Sequence, residues 1–415
     1  MNYKISHPTK IIKGEITLTA SKSESNRVLI IKALCSEFFK INNLAKAEDT
    51  VSFINCLEKS KDVSVQVFDI GAAGTAMRFL TAYFATLPGE RILTGTDRMK
   101  KRPIAILVKA LRELGADIEY MEEEGYPPLK IKGKPLNGGM VEMDGSVSSQ
   151  FISALLLISP ALKNGLVIKF KDEVTSVPYI NMTLNMMQEF RVYGQWHEDS
   201  ISVSKQNYHV KHEADYVYEV EADWSSASYW YSMAVLAEEA DIIIKGLKDS
   251  SLQGDSVIAD LFTFFGVKTE FMDDGIRLTK IKYCVQQFGF NFADCPDIAQ
   301  TVAVVVTALK IPSFFSGLYT LAIKETDRLL ALGNELKELK GKVDIINNSI
   351  KLESEFSPEE SIQIETYDDH RMAMAFAPLA LKTNSLIIKN PSVVKKSYPD
   401  FWTDFKKVGF VIEEV

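Results

Sequence analysis

Apolar and polar positions along this chain fall into a block that recurs six times. Each block opens on a polar, often charged cluster that leads into an apolar helical run. The openings are SKSESNR at Ser21, GAAGTAMR at Gly71, GSVSSQ at Gly145, DWSSAS at Asp223, CPDIAQ at Cys295 and YDDHRM at Tyr367. A short run of strand-forming residues follows each helix: FFKINNL, ERILTG, GLVIKF, ADIIIKG, SFFSGL and SLIIKN. A polar loop, a second helix and two short strands complete the pattern. The ending is clearest in FFGVKTEFMDDGIRL from Phe264 and LKGKVDIINNSIKLE from Leu339, and it is truncated in the terminal VGFVIEEV. A period of roughly 70 residues marks a repeat architecture.

The two helices of a block differ in their patterning. In VKALRELG, Val108, Leu111 and Leu114 share one face before Gly115 ends the helix, and ADIEY then alternates as a strand does. By contrast, TVAVVVTAL from Thr301 and ISALLLI from Ile152 are apolar nearly all round. Such helices belong inside a domain, with their polar N-termini opening onto a cleft. Helix N-termini carry unpaired N–H groups and the positive dipole end, so these openings are natural anion sites. Three blocks lie between Ser21 and about Glu221, and three between Asp223 and Val415. A strand-like run, GEITLTA from Gly14, precedes them. The expected class is α/β, in two domains of three repeats each.

Composition narrows the function classes. A formal net charge of −8 argues against a broad basic face for nucleic acid. Local cationic clusters remain effective, because salt screens charges beyond roughly 8 Å. Cys35, Cys56, Cys284 and Cys295 form no C-x-x-C pair, and the first three lie in apolar helix or strand patterns, so reduced and mostly buried thiols are expected. The histidines show no zinc-binding spacing. No apolar run reaches the roughly 18 residues of a membrane span, and MNYKISHPTK has no apolar signal core. A cytoplasmic protein is expected.

The chemistry gathers in the helix openings and in the loops KAEDT, TDRMKKRP, TSVPYI, LQGDS, IKETDRL and KKSYPDF. Lys22 and Ser23 can meet an anion at a helix start, and Arg27, one turn on, offers a fork for a carboxylate. Ser148 and Ser149, with Gln150, suit a phosphate, although serines there also serve as plain caps. Gly71 and Gly74 flank a tight turn, where glycine lets a ligand approach the backbone. The turn is not G-x-G-x-x-G, so no dinucleotide fold is implied. Arg98 leads a basic run with Lys100, Lys101 and Arg102. In IKETDRL, Lys324, Glu325, Asp327 and Arg328 set acid beside base, as proton transfer requires. Asp368, Asp369, His370 and Arg371 open the last buried helix, and Asp297 opens the one before it. Lys22, Arg27, Arg98, Lys324, Arg328, Arg371 and Lys396 occupy equivalent repeat positions. So do the carboxylates Asp297 and Glu325.

These motifs, from Lys22 to Pro399 and in order, resemble the 5-enolpyruvylshikimate-3-phosphate synthase family of enolpyruvyl transferases. The matching segments are SKSESNR, GAAGTAMR, DRMKKRP, GSVSSQF, SVPYI, SASYW, PDIAQT, KETDRL, YDDHRMAM and KKSYPDF. The resemblance implies two domains of three βαβαββ repeats in an inverse α/β barrel-like arrangement. Residues 21–221 would form the shikimate 3-phosphate side, and 1–20 with 222–415 the second domain. It implies transfer of the enolpyruvyl group of phosphoenolpyruvate to the 5-hydroxyl of shikimate 3-phosphate, with release of phosphate and without metal or organic cofactor. By the same resemblance Ser148, Ser149 and Ser176 hold the shikimate phosphate and Arg27 its carboxylate. Lys22, Ser23, Gln150, Tyr179, Asp297 and Lys324 are further contacts. Lys22, Gly74, Arg98, Gln150, Arg328, Arg371 and Lys396 take phosphoenolpyruvate. Asp297, Glu325 and Lys22 carry the proton transfers. Two small-molecule partners, each near roughly −3 in charge, fit a cationic cleft. No nucleic-acid or membrane partner is implied, and a monomer is expected.

Three positions depart from the family pattern: Ala72 and Thr320 stand where Asn is usual, and Phe79 where Pro is usual. Two other readings stay open at this point. A related transferase acts on UDP-N-acetylglucosamine, but it commonly has a reactive Cys where LTGTDRMKKRP has none. The other is a non-catalytic phosphometabolite-binding protein, against which Asp297 and Glu325 count, since carboxylates in an anion cleft weaken binding.

Overall fold

The computed structural model describes residues 1–62, 64, 66–146, 148–210, 215–357 and 361–415. The chain forms two compact units, one of Ser21–Val220 and one of Met1–Ala20 with Glu221–Val415. Among the described residues there are five four-stranded sheets and one two-stranded sheet. No helix among them is long and apolar enough to cross a membrane.

In the first unit, the helices Lys22–Leu34, Gly74–Thr86 and Ser149–Ile158 pack against one another. In the second, Trp224–Leu236, Ala299–Ala308 and His370–Phe376 do the same. These are the six runs expected to be buried. Every residue of Ala299–Ala308 is buried, although its Val and Thr are mediocre helix formers. Burial decides the outcome here, since each fully buried Val or Leu is worth about 1.5–3 kcal/mol. The second helices lie further out. Ala105–Glu113 buries Val108 and Leu111, and Gly115 ends it at φ +103°, a conformation open to glycine.

The sheets follow one plan. In the second repeat, Val67–Asp69 runs parallel to Gly89–Thr94 across the buried helix, and the hairpin Asp117–Tyr120 with Leu129–Gly133 completes the sheet. The fifth repeat turns its hairpin at Asn347 and Asn348, both at positive φ, as tight two-residue hairpin turns require. The first repeat is abbreviated. Only residues 60–66 separate the helix Glu48–Lys59 from the next repeat's first strand, too few for two strands and a turn.

Two sheets are completed by residues distant in sequence. Val217–Glu219 pairs in parallel with Lys40–Asn42 and supplies the first repeat's opening strand. The N-terminal segment holds two strands where one was expected. Ile11–Thr17, overlapping GEITLTA, lies parallel to Glu239–Lys245 and opens the fourth repeat. Asn2–Ser6 inserts between Leu386–Lys389 and Val411–Glu414, making up the strand missing from the truncated sixth repeat.

The cysteines correct one expectation. All four are free thiols, but only Cys56 and Cys295 are buried. Cys35 is half-buried just past its helix, and Cys284 is exposed in the connection after Gly275–Lys280.

Candidate active site

In the second unit, the starts of the buried helices Ala299–Ala308 and His370–Phe376 and of the helix Arg328–Glu338 converge on one ion-pair network. Asp297 lies on the 3-10 turn Pro296–Ile298 that feeds Ala299–Ala308. Its Oδ2 receives Arg371 Nη2 at 2.9 Å, and its Oδ1 receives Arg328 Nη1 at 3.1 Å, with Lys324 Nζ at 3.6 Å. Arg328 also donates to Glu325 Oε2 at 2.7 Å and to Asp369 Oδ2 at 2.5 Å. Lys396 closes the chain on Glu325 Oε1 at 3.1 Å. Arg371 donates from Nη1 to the hydroxyl of Tyr229 at 3.3 Å. Its Nε, although buried, has no partner among the described residues. Lys324, Glu325, Arg328, Arg371, Lys396 and Asp297 are thus brought together in one cluster.

Charge explains why such a network can be buried. Each cation faces a carboxylate, so no ion is left uncompensated at Arg328, which is only 2% exposed. Burial by itself pushes the Asp297 carboxyl up. Arg371, Lys324 and Arg328 together outweigh it and hold the group below the ordinary carboxylate range. Burial lowers Lys324, with Asp297 opposing. Burial also opposes the charge of Arg328, but Asp369, Glu325 and Asp297 outweigh it and hold the guanidinium above its usual range. Asp327, in the same motif, has a structural job: it caps the helix Arg328–Glu338 by accepting from the Leu330 N–H at 3.1 Å.

The sequence reading named Asp369 only as part of a helix opening. The structure makes it the fully buried counter-ion of Arg328 and the acceptor of the Arg371 N–H at 2.8 Å. Asp255, in the LQGDS loop, was not singled out at all. It is buried beside Asp297, Arg371 and Asp223 and accepts a hydrogen bond from Ser225 Oγ. Burial first, then the charge of Asp297, pushes its carboxyl up to about 7. A raised carboxyl holds its proton better folded than unfolded. Its ionisation therefore costs stability increasingly as pH rises from the ordinary range towards 7. Asp255→Asn should be more stable than the parent, by a margin that grows on the order of 2 kcal/mol between pH 5 and pH 8. Urea unfolding at both pH values measures it, and a constant difference between the two would show that Asp255 titrates as an ordinary carboxylate.

In the first unit, Arg27 is 3% exposed. Its Nε donates to Thr183 Oγ1 at 2.8 Å and its Nη1 to the Ser23 carbonyl at 2.9 Å. Its Nη2 donates to Ser153 Oγ and to the Tyr179 carbonyl, both at 3.1 Å. Four of its five N–H groups are therefore committed within the protein. One N–H on Nη1 remains, which corrects the expectation of a two-pronged fork. Burial pulls the guanidinium down to about 10, so it stays cationic at neutral pH. Lys22 pairs with Asp49 at 3.0 Å, a partner in the KAEDT loop that the sequence reading did not identify.

Ser148 caps Ser149–Ile158 by accepting from the Gln150 N–H at 3.3 Å. Gln150 Nε2 reaches Thr75 Oγ1 at 3.3 Å, which ties this helix start to that of Gly74–Thr86. Thr175 donates from its N–H to the Gly145 carbonyl and from Oγ1 to the Ser146 carbonyl, both at 3.1 Å, so the Ser148 and Ser176 loops run side by side. Ser176 itself is buried at φ +56°, a costly conformation for a serine, and such strain often accompanies functional positions.

The GAAGTAMR turn packs against the basic loop. A Cβ at Gly74 would lie 2.5 Å from Arg102 Nη1 and 2.9 Å from its Cζ, so glycine here lets the buried guanidinium of Arg102 approach the turn. Arg78 is structural: it donates to the carbonyls of Gly74 at 3.1 Å and Pro103 at 3.0 Å, binding the turn to the basic loop. In that loop Arg98 and Lys101 are exposed, and Lys100 pairs with Glu122 at 2.7 Å.

Known proteins are similar to this chain over nearly its whole length. The sequence profile described as EPSP synthase (3-phosphoshikimate 1-carboxyvinyltransferase) matches residues 6–64 and 58–405. A 3-phosphoshikimate 1-carboxyvinyltransferase of Bacteroides fragilis is 48% identical over 420 residues, covering 100% of this chain and 99% of the relative. One of Aliivibrio fischeri is 36% identical, over 97% of this chain and 98% of its own. Among solved structures, the EPSP synthase from Acinetobacter baumannii matches with a TM-score of 0.79 at 20% identity, covering both chains fully. The enolpyruvyl transferase NikO from Streptomyces tendae matches at 0.77 and 12% identity, covering 100% of this chain and 99% of that one. At those identities the two structures speak for the fold.

Proposed function

The chain belongs to the EPSP synthase family. From that membership we infer that it transfers the enolpyruvyl group of phosphoenolpyruvate to the 5-hydroxyl of shikimate 3-phosphate and releases phosphate, a step of aromatic amino-acid biosynthesis. The observation that carries the reading is the buried network in which Asp297 and Glu325 share four cations, Lys324, Arg328, Arg371 and Lys396. Proton-transfer groups among anion-binding groups are what this chemistry needs.

We propose the following roles. Residues 21–221 form the shikimate 3-phosphate side. The phosphate rests on Ser148, Ser149 and Ser176, and the carboxylate takes the remaining N–H of Arg27. Ser23, Gln150, Tyr179, Lys22 and Lys324 complete the contacts, and the Thr320 hydroxyl stands in for the usual Asn. That hydroxyl oxygen is buried and has no partner among the described residues. Phosphoenolpyruvate is held by Arg328, Arg371, Lys396, Arg98, Lys22 and Gln150, and approaches the Gly74 turn.

In the first step the 5-hydroxyl oxygen attacks C2 of phosphoenolpyruvate and its proton passes to Asp297. The methylene carbon gains a proton handled by Glu325 and supplied by its partner Lys22, giving a tetrahedral adduct. In the second step the C–O bond to phosphate breaks, and the phosphate leaves with the bonding electrons and takes up the proton held by Asp297. The methyl group returns its proton to Glu325 and Lys22, restoring the double bond. The resting network suits this sequence. A carboxyl held by three cations is a weak base, but an arriving trianion competes for Arg371 and Arg328. Asp297 then recovers basicity when it is needed.

Phosphate release from phosphoenolpyruvate tests the function directly. Turnover should require shikimate 3-phosphate. Turnover with UDP-N-acetylglucosamine in its place, or with neither acceptor, would overturn the reading.

A further inference from the structure

We propose that Phe79 is a positioning residue for Arg27: its ring forms the face against which the guanidinium is held for the carboxylate of shikimate 3-phosphate. The proposal rests on the reading of Arg27 given above. Phe79 lies within the buried helix Gly74–Thr86 and is 1% exposed. Arg27 Cζ stands over its ring, 5.6 Å from the centroid, within the range of a cation–π contact. Phe53 backs Phe79 edge-on, with ring centroids 6.5 Å apart.

The rest of the guanidinium is fixed in its own plane. Nε and Nη2 face Thr183, Ser153 and the Tyr179 carbonyl, while Nη1 spends one N–H on the Ser23 carbonyl. In-plane bonds set the edge of the group, and the ring sets its tilt. Together they leave a single N–H, on Nη1, with a fixed direction. The ring covers one face and adds to the burial of the group, and burial as a whole is the main cause of the lowered pKa of Arg27. A desolvated cation makes a stronger hydrogen bond to an incoming anion, and the ring's negative face offsets part of the cost of stripping its water. The resembling family usually has Pro at this position, which has no π face. The platform therefore gives the departure at Phe79 a function.

Titration calorimetry with shikimate 3-phosphate tests the proposal. Phe79→Leu should raise Kd roughly 5- to 30-fold, the range expected for a buried cation–π contact, with kcat at saturation little changed. Replacing Phe79 by mono- and trifluorinated phenylalanine keeps size while draining the ring face, and Kd should rise step by step with fluorine number. A structural filler would give no such gradient. In an Arg27→Ala background, the same changes should have no further effect. An unchanged Kd across the fluorinated series, or equal losses with and without Arg27, overturns the role of Phe79. If Arg27→Ala alone leaves Kd unchanged, it is the underlying reading of Arg27 that fails.

Discussion

Glu325→Gln and Asp297→Asn should each lower kcat by roughly 10²–10⁴ while leaving substrate binding largely intact. That is the usual worth of a general acid–base group. Both substitutions are close in shape to the parent, so lost packing is not the expected cause. In the folded protein Glu325 receives Arg328 at 2.7 Å and Lys396 at 3.1 Å, and Asp297 receives Arg371 at 2.9 Å. An amide removes the negative charge those cations face. Affinity for the phosphoenolpyruvate trianion should hold or tighten, because the competing carboxylate is gone. A fall in kcat with an unchanged or lower KM for phosphoenolpyruvate is therefore the signature, and a rise in KM alone would recast the residue as a binding group. Near-normal kcat in either variant would remove that residue from the mechanism.

The repeat pattern was legible because burial and helix starts leave local marks. TVAVVVTAL could have been a strand by propensity, yet its length and polar entry pointed to a helix, and the folded chain buries all of it but Leu309, which is half-buried. The Asn347–Asn348 turn announced its hairpin. What stayed hidden depends on pairing between distant residues. Nothing in Val217–Glu219 shows that it joins Lys40–Asn42, and Asn2–Ser6 gives no hint that it fills a gap in the last sheet. The candidate cations were readable because they recur in register. Their internal partners were not, because Asp49, Asp369, Asp255 and Thr183 look like ordinary loop or helix residues until the fold sets them beside a charge. The same limit explains Gly74, whose neighbour Arg102 is 28 positions away in sequence.

The last expectation concerns Arg328, where site and stability meet. One side chain bonds three carboxylates: Asp369 through Nε at 2.5 Å and Nη2 at 3.3 Å, Glu325 at 2.7 Å and Asp297 at 3.1 Å. Arg328→Met keeps much of the volume and removes the charge. Asp297 still has Arg371 and Lys324, and Glu325 still has Lys396. Asp369 is the one left exposed to the loss: it is fully buried, and the Arg371 backbone N–H remains its neighbour. Orphaning a buried ion costs about 3–5 kcal/mol, so Arg328→Met should lose that much in urea unfolding. Adding Asp369→Asn removes the orphaned charge and keeps an acceptor for the helix cap. The double variant should recover about 1–3 kcal/mol of the loss. Neither variant should recover affinity for phosphoenolpyruvate, because both lack the guanidinium proposed to grip it. A single variant within about 1 kcal/mol of the parent would mean that Asp369 is satisfied without Arg328. A double variant no better than the single would place the loss in packing, and the guanidinium would then serve the substrate alone.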